Sequence, residues 1–362
     1  MPAPPLSTET DVPPLLTMTE AVHGGLDSDF SSFPIYQGTN NSGEYSRDHN
    51  PTVAAAEVRL AALEGAEAAI AVASGMAAVS VALLTLLEAG MRLIYHQTAY
   101  DGTLGLAEDL RRFGIIPVAR DLRDLDGLYQ ELADGRPTVI HFEPLANPFL
   151  DVVDTHAIVE AAHAAGARVV VDNTLLTPCL FRPLAVGADL VVHSATKYMM
   201  GHGNGLAGVV CGPAALIRRV AHTRKHYGPV LAPAHAALLL QGIKTLPLRV
   251  ARHGENAQRV AEALRTVPGV ARVYYPGLPD DPGHALAARR WAGFGSMVGF
   301  ATRDPGVSQR VRLLKPWFSL GETESLIAPY ARSLSGGLLY YRLSIGLEDP
   351  EDLIADLRHA LT

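Results

Sequence analysis

Residues 169–172 read Val169-Val170-Val171-Asp172, and residues 194–197 read Ser194-Ala195-Thr196-Lys197. The first stretch predicts a buried strand that ends on a carboxylate. The second directly follows another apolar run, residues 190–193, and ends on an amine. In open α/β sheets ligands bind outside the carboxyl ends of the strands, so Asp172 and Lys197 are expected at one shared site.

An amine and a carboxylate at such an edge are the two groups that pyridoxal phosphate requires. A lysine holds the cofactor's aldehyde as a Schiff base, and a carboxylate keeps the ring nitrogen protonated so that the ring can accept electrons from a substrate carbanion. Alone, Asp172 would be read as a loop or cap residue and Lys197 as a surface lysine. Together they predict pyridoxal 5'-phosphate as the cofactor.

Short apolar runs alternate with stretches of helical periodicity along the first two thirds of the chain. Helical spacing occurs at residues 53–63 and 76–87, and strand-like runs occur at residues 69–73, 93–95, 115–118, 139–142, 169–171 and 190–193. This alternation predicts an α/β fold with a large, mostly parallel sheet covered by helices on both faces. Beyond Gly254, a long helix and strands at residues 270–275, 296–301 and 339–345 predict a smaller α+β domain.

We predict three parts of the chain. Residues 1–52 form an N-terminal arm, and residues 1–14, with little apolar periodicity, are expected to be flexible. Residues 53–250 form the large cofactor-binding domain and residues 251–362 the small C-terminal domain, with the boundary near residues 246–252. A chain of 362 residues that is 48% hydrophobic can bury a core of this size.

Composition argues against several other classes of protein. A formal net charge of -7 without a long basic run disfavours nucleic acid as a partner, and no apolar run is long enough to predict a transmembrane helix. Two cysteines give no disulfide framework, and without a recognisable signal peptide the expected location is the cytoplasm. The fourteen histidines show no metal-ligand spacing, so no catalytic metal is expected.

Further motifs extend over nearly the whole chain, from about His23 onward. They are Tyr45-Ser46-Arg47, Ala73-Ser74-Gly75-Met76-Ala77, Asn147-Pro148, Val171-Asp172-Asn173-Thr174, Arg182-Pro183-Leu184, Gly187-Ala188-Asp189, His193-Ser194-Ala195-Thr196-Lys197-Tyr198, Lys244-Thr245-Leu246-Pro247, Tyr275-Pro276-Gly277 and Arg342-Leu343-Ser344. In this order they resemble the Cys/Met-metabolism family of pyridoxal phosphate enzymes, which includes cystathionine synthases and lyases and methionine gamma-lyases. The resemblance implies the aminotransferase-like fold, fold type I.

The phosphate of the cofactor is expected where the helix at residues 76–87 begins. The amides of Gly75 and Met76 can point at an anion from a helix N-terminus, although Ser-Gly-Met at such a turn is more often a simple helix cap. Ser194 and Thr196, two residues apart on a segment read as extended, would point the same way and offer hydroxyl donors.

The resemblance implies that Tyr45 and Arg47 bind the phosphate of a neighbouring subunit, with Tyr45 also near that subunit's substrate. It therefore implies a homotetramer, a dimer of dimers with shared active sites. Without the resemblance, Tyr45 and Arg47 would be read as solvated surface residues.

The resemblance also assigns roles at the ring and the substrate. Tyr100 would stack on the ring and act as a general acid or base, and Asn147 would hydrogen-bond the ring oxygen. Arg342 would bind the α-carboxylate of the substrate through its planar fork, with Ser319 and its neighbour Phe318 beside it. Each residue also has an ordinary reading as a core, turn or strand residue.

The implied function is elimination or replacement at the gamma (or beta) carbon of an L-amino acid. Lys197 would leave its Schiff base and take the α-proton, and the ring would stabilise the carbanion as a quinonoid. The protein would then be a lyase or a replacement transferase that acts on a sulfur-containing or otherwise gamma-substituted amino acid. Two alternatives stay open: an aminotransferase of the same fold, and a non-catalytic binding or regulatory protein, which the presence of Lys197, Asp172 and Arg342 disfavours.

Departures from the family pattern bear on the substrate. Phe318 stands where many cystathionine-handling members have glutamate, which disfavours cystathionine, and Gly102 stands where methionine gamma-lyases usually have cysteine. Asp101 replaces a usual glycine; it could place a carboxylate near the leaving group or be a solvent-facing turn residue. Residues 203–204 and 328–332 also differ from the family pattern, so we expect the entrance to the pocket to be remodelled.

Overall fold

Two β-sheets organise the chain in the computed structural model, which describes residues 17–24, 32–40, 43–334 and 336–362. The seven-stranded sheet comes from the earlier part of the chain and the four-stranded sheet from the later part. The flexible arm expected at residues 1–14 lies outside the described residues.

The seven-stranded sheet is mostly parallel. Its strands are β1 (Ala68–Val72), β2 (Arg92–His96), β3 (Ile116–Arg120), β4 (Thr138–Phe142), β5 (Arg168–Asp172), β6 (Leu190–His193) and β7 (Gly208–Gly212). Their order in the sheet is β1-β7-β6-β5-β4-β2-β3, and every pairing from β6 to β3 is parallel. Strand β7, which we did not predict, pairs antiparallel with β1 and β6. The predicted α/β architecture is confirmed.

Strand β5 shows why these runs are continuously apolar. Val169 and Val171 belong to the hydrophobic core on one face of the sheet, whereas Val170 belongs to the core on the other face. Because successive side chains of a strand point to opposite faces, a strand covered on both sides needs an apolar residue at every position. The run stops at Asp172, which is half-buried at the carboxyl end of the strand.

Helices cover both faces of this sheet. They are α1 (Met18–His23), α2 (Pro51–Glu64), α3 (Gly75–Leu86), α4 (Asp101–Asp109), α5 (Leu125–Leu132), α6 (Thr155–Ala164), α7 (Thr177–Leu180), α8 (Ala214–Tyr227) and α9 (Pro233–Ile243). Helices α2 and α6 contribute to one core, and α3 and α8 to the other. The helices predicted at residues 53–63 and 76–87 are α2 and α3. Within the described residues, no helix has the length and apolar character that a membrane span requires.

The four-stranded sheet is antiparallel throughout. Its strands are β8 (Val270–Tyr274), β9 (Met297–Thr302), β10 (Leu326–Leu334) and β11 (Leu338–Ser344), in the order β10-β11-β9-β8. The accompanying helices are α10 (Leu246–Leu264), α11 (His284–Arg290), α12 (Val307–Arg310) and α13 (Pro350–Leu361). Strand β10 escaped prediction because it contains Pro329, which an edge strand can accommodate.

Helix α10 packs against both sheets. Its first turns coincide with residues 246–252, where the domain boundary was predicted. Val250 packs in a core of the large sheet, whereas Val260 and Leu264 pack in the core of the small sheet. The division into residues 1–52, 53–250 and 251–362 stays a prediction.

Candidate active site

A cavity of about 610 Å³ lies beside the carboxyl ends of β4, β5 and β6. The predicted site residues that line it are Gly75, Met76, Tyr100, Asn147, Asp172, Ser194, Thr196, Lys197, Phe318, Ser319 and Arg342. Arg342 lies on β11, so the small sheet supplies part of the wall. The fold thus brings together residues that are far apart in sequence.

Lys197 lies in a turn that follows β6. Its backbone N–H donates to the carbonyl of Ser194 at 3.1 Å, and its Nζ donates to Oγ of Ser319 at 3.0 Å. Burial lowers the pKa of Lys197, and the positive charge of Arg342 acts in the same direction. A lowered pKa increases the fraction of neutral amine, the form that can bond an aldehyde or accept a proton.

The extended segment predicted to hold both Ser194 and Thr196 is wrong at Thr196, which lies in a turn. Residues 195–200 form turns, although the stretch contains no glycine or proline that would have signalled them. The Thr196 hydroxyl is bonded to the backbone of Ala207: it donates to the carbonyl at 3.0 Å and accepts from the N–H at 3.0 Å. Both side chains nevertheless line the same cavity.

Asp172 is fixed through one of its two carboxylate oxygens. Its Oδ1 accepts hydrogen bonds from the N–H of Thr174 at 3.0 Å and from the Thr174 hydroxyl at 2.5 Å. The Thr174 hydroxyl oxygen also accepts from the N–H of Ser194 at 2.8 Å, which ties the end of β5 to the segment that carries Lys197. No described residue donates to Oδ2 of Asp172, so this oxygen can accept a proton donor in the cavity.

The start of α3, where an anion site was predicted, lines another side of the cavity. Ser74 caps the helix through Oγ, which accepts from the N–H of Ala77 at 3.1 Å. The first amides of a helix, here those of Gly75 and Met76, have no carbonyl partner within it. A Cβ atom at Gly75 would lie 2.5 Å from Cβ of Ser194, so only glycine allows this close approach. The Ser74 side chain can therefore cap α3 while the amides of Gly75 and Met76 stay available to an anion.

Glu143 is a site residue that the sequence analysis missed. Its Oε1 accepts from the N–H of Tyr100 at 2.9 Å and its Oε2 from the N–H of Asn147 at 2.6 Å. The carboxylate thus joins two loops that carry predicted site residues. Burial and the charge of Asp172 raise the pKa of Glu143 to about 8, against the effect of both N–H donors. In this stretch of the sequence only the Asn147-Pro148 motif was noticed.

Replacing Glu143 with glutamine should change how stability depends on pH. Because the pKa of Glu143 is raised on folding, the folded protein binds more protons than the unfolded one between about pH 4.5 and 8. Its contribution to the free energy of unfolding therefore falls as pH rises through this range. In Glu143→Gln this contribution is absent, so the wild-type free energy of unfolding minus that of the variant should decrease with pH.

Urea unfolding of both proteins at pH 5 and pH 8, after removal of cofactor, measures this difference. A difference that stays constant or increases between the two pH values would contradict the assignment. Glutamine has only one acceptor oxygen, so it should leave the backbone N–H of either Tyr100 or Asn147 unpaired. An unpaired buried N–H costs about 1–3 kcal/mol of stability.

Arg342 is buried and its guanidinium is held by three partners. Nη1 donates to Oδ1 of Asn147 at 2.6 Å and to the hydroxyl of Tyr330 at 2.7 Å, and Nη2 donates to the carbonyl of Ser319 at 2.8 Å. Its Nε is buried without a hydrogen-bond partner among the described residues. Unused donors therefore remain for a carboxylate, and the side-chain amide of Asn147 keeps its own N–H donors for another ligand.

These groups fit pyridoxal phosphate. The cavity offers a carboxylate at Asp172, an amine at Lys197, and helix amides beside the hydroxyls of Ser194 and Thr196, which match a ring nitrogen, an aldehyde and a phosphate. A volume of about 610 Å³ lies within the usual range for cofactor sites, about 300–1,000 Å³. Among the described residues, no group of three or more His, Cys, Asp or Glu side chains could hold a metal ion.

Comparison with known proteins gives the same answer. The model of the family described as Cys/Met metabolism PLP-dependent enzyme matches residues 7–362. The chain belongs to this family. It is therefore a pyridoxal phosphate enzyme, and its cofactor is pyridoxal 5'-phosphate.

Individual relatives within the family have different activities. The chain is 42% identical to an L-methionine gamma-lyase of Pseudomonas putida, over 88% of this chain and 84% of the relative. It is 38% identical to an O-succinylhomoserine sulfhydrylase of Pseudomonas aeruginosa, over 88% and 83%. A cystathionine gamma synthase of Xanthomonas oryzae pv. oryzae superposes with a TM-score of 0.91 at 35% identity, over 96% and 98%. The fold is therefore fold type I, as predicted.

Two predicted site residues of this family enzyme lie away from the cavity of their own chain. Tyr45 and Arg47 are exposed, and the Arg47 guanidinium lies 5.4 Å from the centroid of the Tyr45 ring. Within one chain they do not meet Lys197.

Arg249 is a second residue that the sequence analysis missed. It is buried on α10, and its guanidinium donates to the carbonyls of Tyr198 at 2.6 Å, Met199 at 3.3 Å and Gly242 at 2.8 Å. The turn that carries Lys197 is therefore anchored to α10. A single arginine in a helical pattern gives no signal of such a contact.

Proposed function

We propose that this enzyme catalyses elimination or replacement at the gamma (or beta) carbon of an L-amino acid, with a sulfur-containing or otherwise gamma-substituted amino acid as substrate. One observation carries the proposal: the amine of Lys197, the carboxylate of Asp172 and the guanidinium of Arg342 line one cavity. The activities named for the relatives, a methionine gamma-lyase and an O-succinylhomoserine sulfhydrylase, support this class of reaction.

When bound, pyridoxal phosphate supplies an electron-withdrawing ring that lowers the barrier to breaking bonds at the substrate's α-carbon. In our proposal Asp172 would keep the ring nitrogen protonated through its free Oδ2. The Nζ of Lys197 would hold the aldehyde and, once released, would move a proton at the α-carbon. Arg342 would orient the substrate by binding its α-carboxylate. The hydroxyl of Ser319 would position the Lys197 amine through the hydrogen bond between them.

The remaining residues hold the cofactor or serve the leaving group. The amides of Gly75 and Met76 and the hydroxyl of Ser194 would bind the phosphate. The Thr196 hydroxyl would join them only by giving up the hydrogen bond that it donates to the Ala207 carbonyl. The N–H donors of the Asn147 side chain would bind the ring oxygen, because its Oδ1 already accepts from Arg342. Tyr100, which is 48% exposed at the cavity, would stack on the ring and pass a proton to the leaving group.

Product analysis tests the reaction. The holoenzyme would be incubated separately with methionine, O-succinylhomoserine, cystathionine and canavanine, the last because a canavanine gamma-lyase is 38% identical over 88% of this chain. Each reaction would run with and without an added thiol. A keto acid with ammonia and the released gamma group supports elimination, and a new thioether supports replacement. A keto acid that keeps the gamma group, with an aminated cofactor, would instead identify an aminotransferase.

We further propose a homotetramer in which Tyr45 and Arg47 complete the site of a neighbouring subunit. Their exposure and their distance from their own cavity support this arrangement. Cys179 and Cys211 are both buried free thiols, which supports a reducing, cytoplasmic location.

Mixing two inactive variants tests the shared site. Arg47→Ala and Lys197→Ala should each lose most activity when expressed alone. In a hybrid of the two chains, one site receives Lys197 from the first chain and Arg47 from the second, so co-expression should restore a fraction of the wild-type kcat. Hybrids that form, as shown by two purification tags, yet stay inactive would rule out sharing through Arg47.

A further inference from the structure

One wall of the cavity carries a carboxylate that the proposed chemistry does not use. Asp101, the first residue of α4, lines the cavity together with Tyr330 and Phe318. Asp101 is exposed to solvent, as one reading of the sequence expected, but it begins a helix instead of lying in a turn. The other charged lining residues, Glu143, Asp172, Lys197 and Arg342, are each engaged by hydrogen bonds within the protein. In the part of the chain that the structure describes, no side chain forms an ion pair or a hydrogen bond with the Asp101 carboxylate.

Two aromatic rings, those of Phe318 and Tyr330, line the same cavity as this carboxylate. Phe318 and Tyr330 meet edge to face, with their centroids 6.1 Å apart and their planes at 82°. Tyr330 is fixed by the hydrogen bond from Arg342, whereas Phe318 is 69% exposed. Burial raises the pKa of Tyr330 against the lowering effect of the Arg342 charge, and the charge of Asp101 adds to the increase.

We propose that Asp101, Tyr330 and Phe318 select substrates whose gamma substituent ends in a cationic nitrogen group, such as an ammonium or a guanidinium. This inference rests on the proposed function, in which Arg342 takes the α-carboxylate and the gamma substituent extends into the rest of the cavity. An unpaired carboxylate attracts a cation, and the exposed ring of Phe318 can bind a cation through its quadrupole. The Arg342 guanidinium already lies over the Tyr330 ring, 5.2 Å from its centroid, so Tyr330 contributes by positioning Phe318 through their edge-to-face contact. A neutral thioether gains neither interaction.

Two compounds of nearly equal shape separate charge from size. S-(2-aminoethyl)-L-homocysteine ends in an ammonium, and S-propyl-L-homocysteine ends in a methyl at the same position. Their affinities for the holoenzyme would be measured by stopped flow, from the rapid change in cofactor absorption on mixing. This change reports binding at the α-amine before any chemistry at the gamma carbon.

The wild type should bind the cationic compound about tenfold more tightly, because a partly exposed ion pair and a cation–π contact each contribute modestly. Asp101→Asn should reduce this preference about fivefold, and Asp101→Glu, which keeps the charge, should retain most of it. An equal preference in the wild type and Asp101→Asn, or a wild-type preference for the propyl compound, would overturn the proposal.

Asp126→Asn is the matched control. Asp126 is also an exposed aspartate in the first turn of a helix, α5, and it does not line the cavity. Both asparagine variants lose the same favourable interaction with a helix N-terminus, so only Asp101→Asn should change the preference. If the preference follows Asp101 but neither compound yields a keto acid or a replacement product, the proposed gamma chemistry fails while this inference stands.

Discussion

Lys197→Ala should abolish both the covalent attachment of the cofactor and the turnover of substrate. Loss of a positioned acid–base group alone costs about 10²–10⁴-fold in rate, and here the same amine also bonds the aldehyde, so we expect a loss of at least about 10⁴-fold. The variant should fold, because the side chain makes a single hydrogen bond, with Ser319.

Borohydride reduction followed by peptide mass spectrometry measures the attachment directly. The wild-type peptide that contains Lys197 should carry the reduced cofactor, and the variant should carry none at any lysine. Lys315→Ala, at an exposed lysine outside the cavity, is the control and should behave as wild type. Wild-type kcat in Lys197→Ala would refute the assignment of this lysine.

Asp172→Asn should leave the fold and cofactor attachment intact but lower kcat by about 10²–10³-fold, the usual cost of losing one electrostatic group aimed at developing charge. The amide oxygen of asparagine can still accept both hydrogen bonds from Thr174, so the end of β5 keeps its geometry. The amide has no charge, however, and cannot keep the ring nitrogen protonated.

Two measurements separate the effect on cofactor attachment from the effect on kcat. The borohydride assay reports attachment, and steady-state kinetics on the amino acid that the enzyme turns over reports kcat. The variant should carry the reduced cofactor at Lys197 in wild-type amount while kcat falls. A kcat within about twofold of wild type would show that the charge of Asp172 is not needed. Loss of attachment together with kcat would point to a positional role instead.

Much of the large sheet could be predicted because its strands are buried on both faces. A strand of this kind must be apolar at every position, so β2, β4, β5 and β6 stand out as short apolar runs. Strand β7 was missed because Gly208-Val209-Val210-Cys211-Gly212 is short and bounded by glycines, and β10 because Pro329 interrupts it.

The site was predicted less completely than the sheet. Asp172 and Lys197 follow directly from strand ends, so their positions could be inferred from local sequence. Glu143 and Arg249 could not be inferred, because each acts through backbone groups of distant segments. Tyr330 was noticed only as part of a departure from the family pattern, and its contacts with Arg342 and Phe318 depend on how β10 and β11 pair.

The sequence by itself determined the strand ends that carry Asp172 and Lys197, the helix start at Gly75, and the family. These features depend on apolar periodicity and on residues close together in the chain. The tertiary structure alone decided that Arg342 and Tyr330 close the cavity, that the Thr196 hydroxyl is bonded to Ala207, and that Asp101 lines the cavity. These features join residues that lie apart in the chain, so the packing of separate elements fixes them.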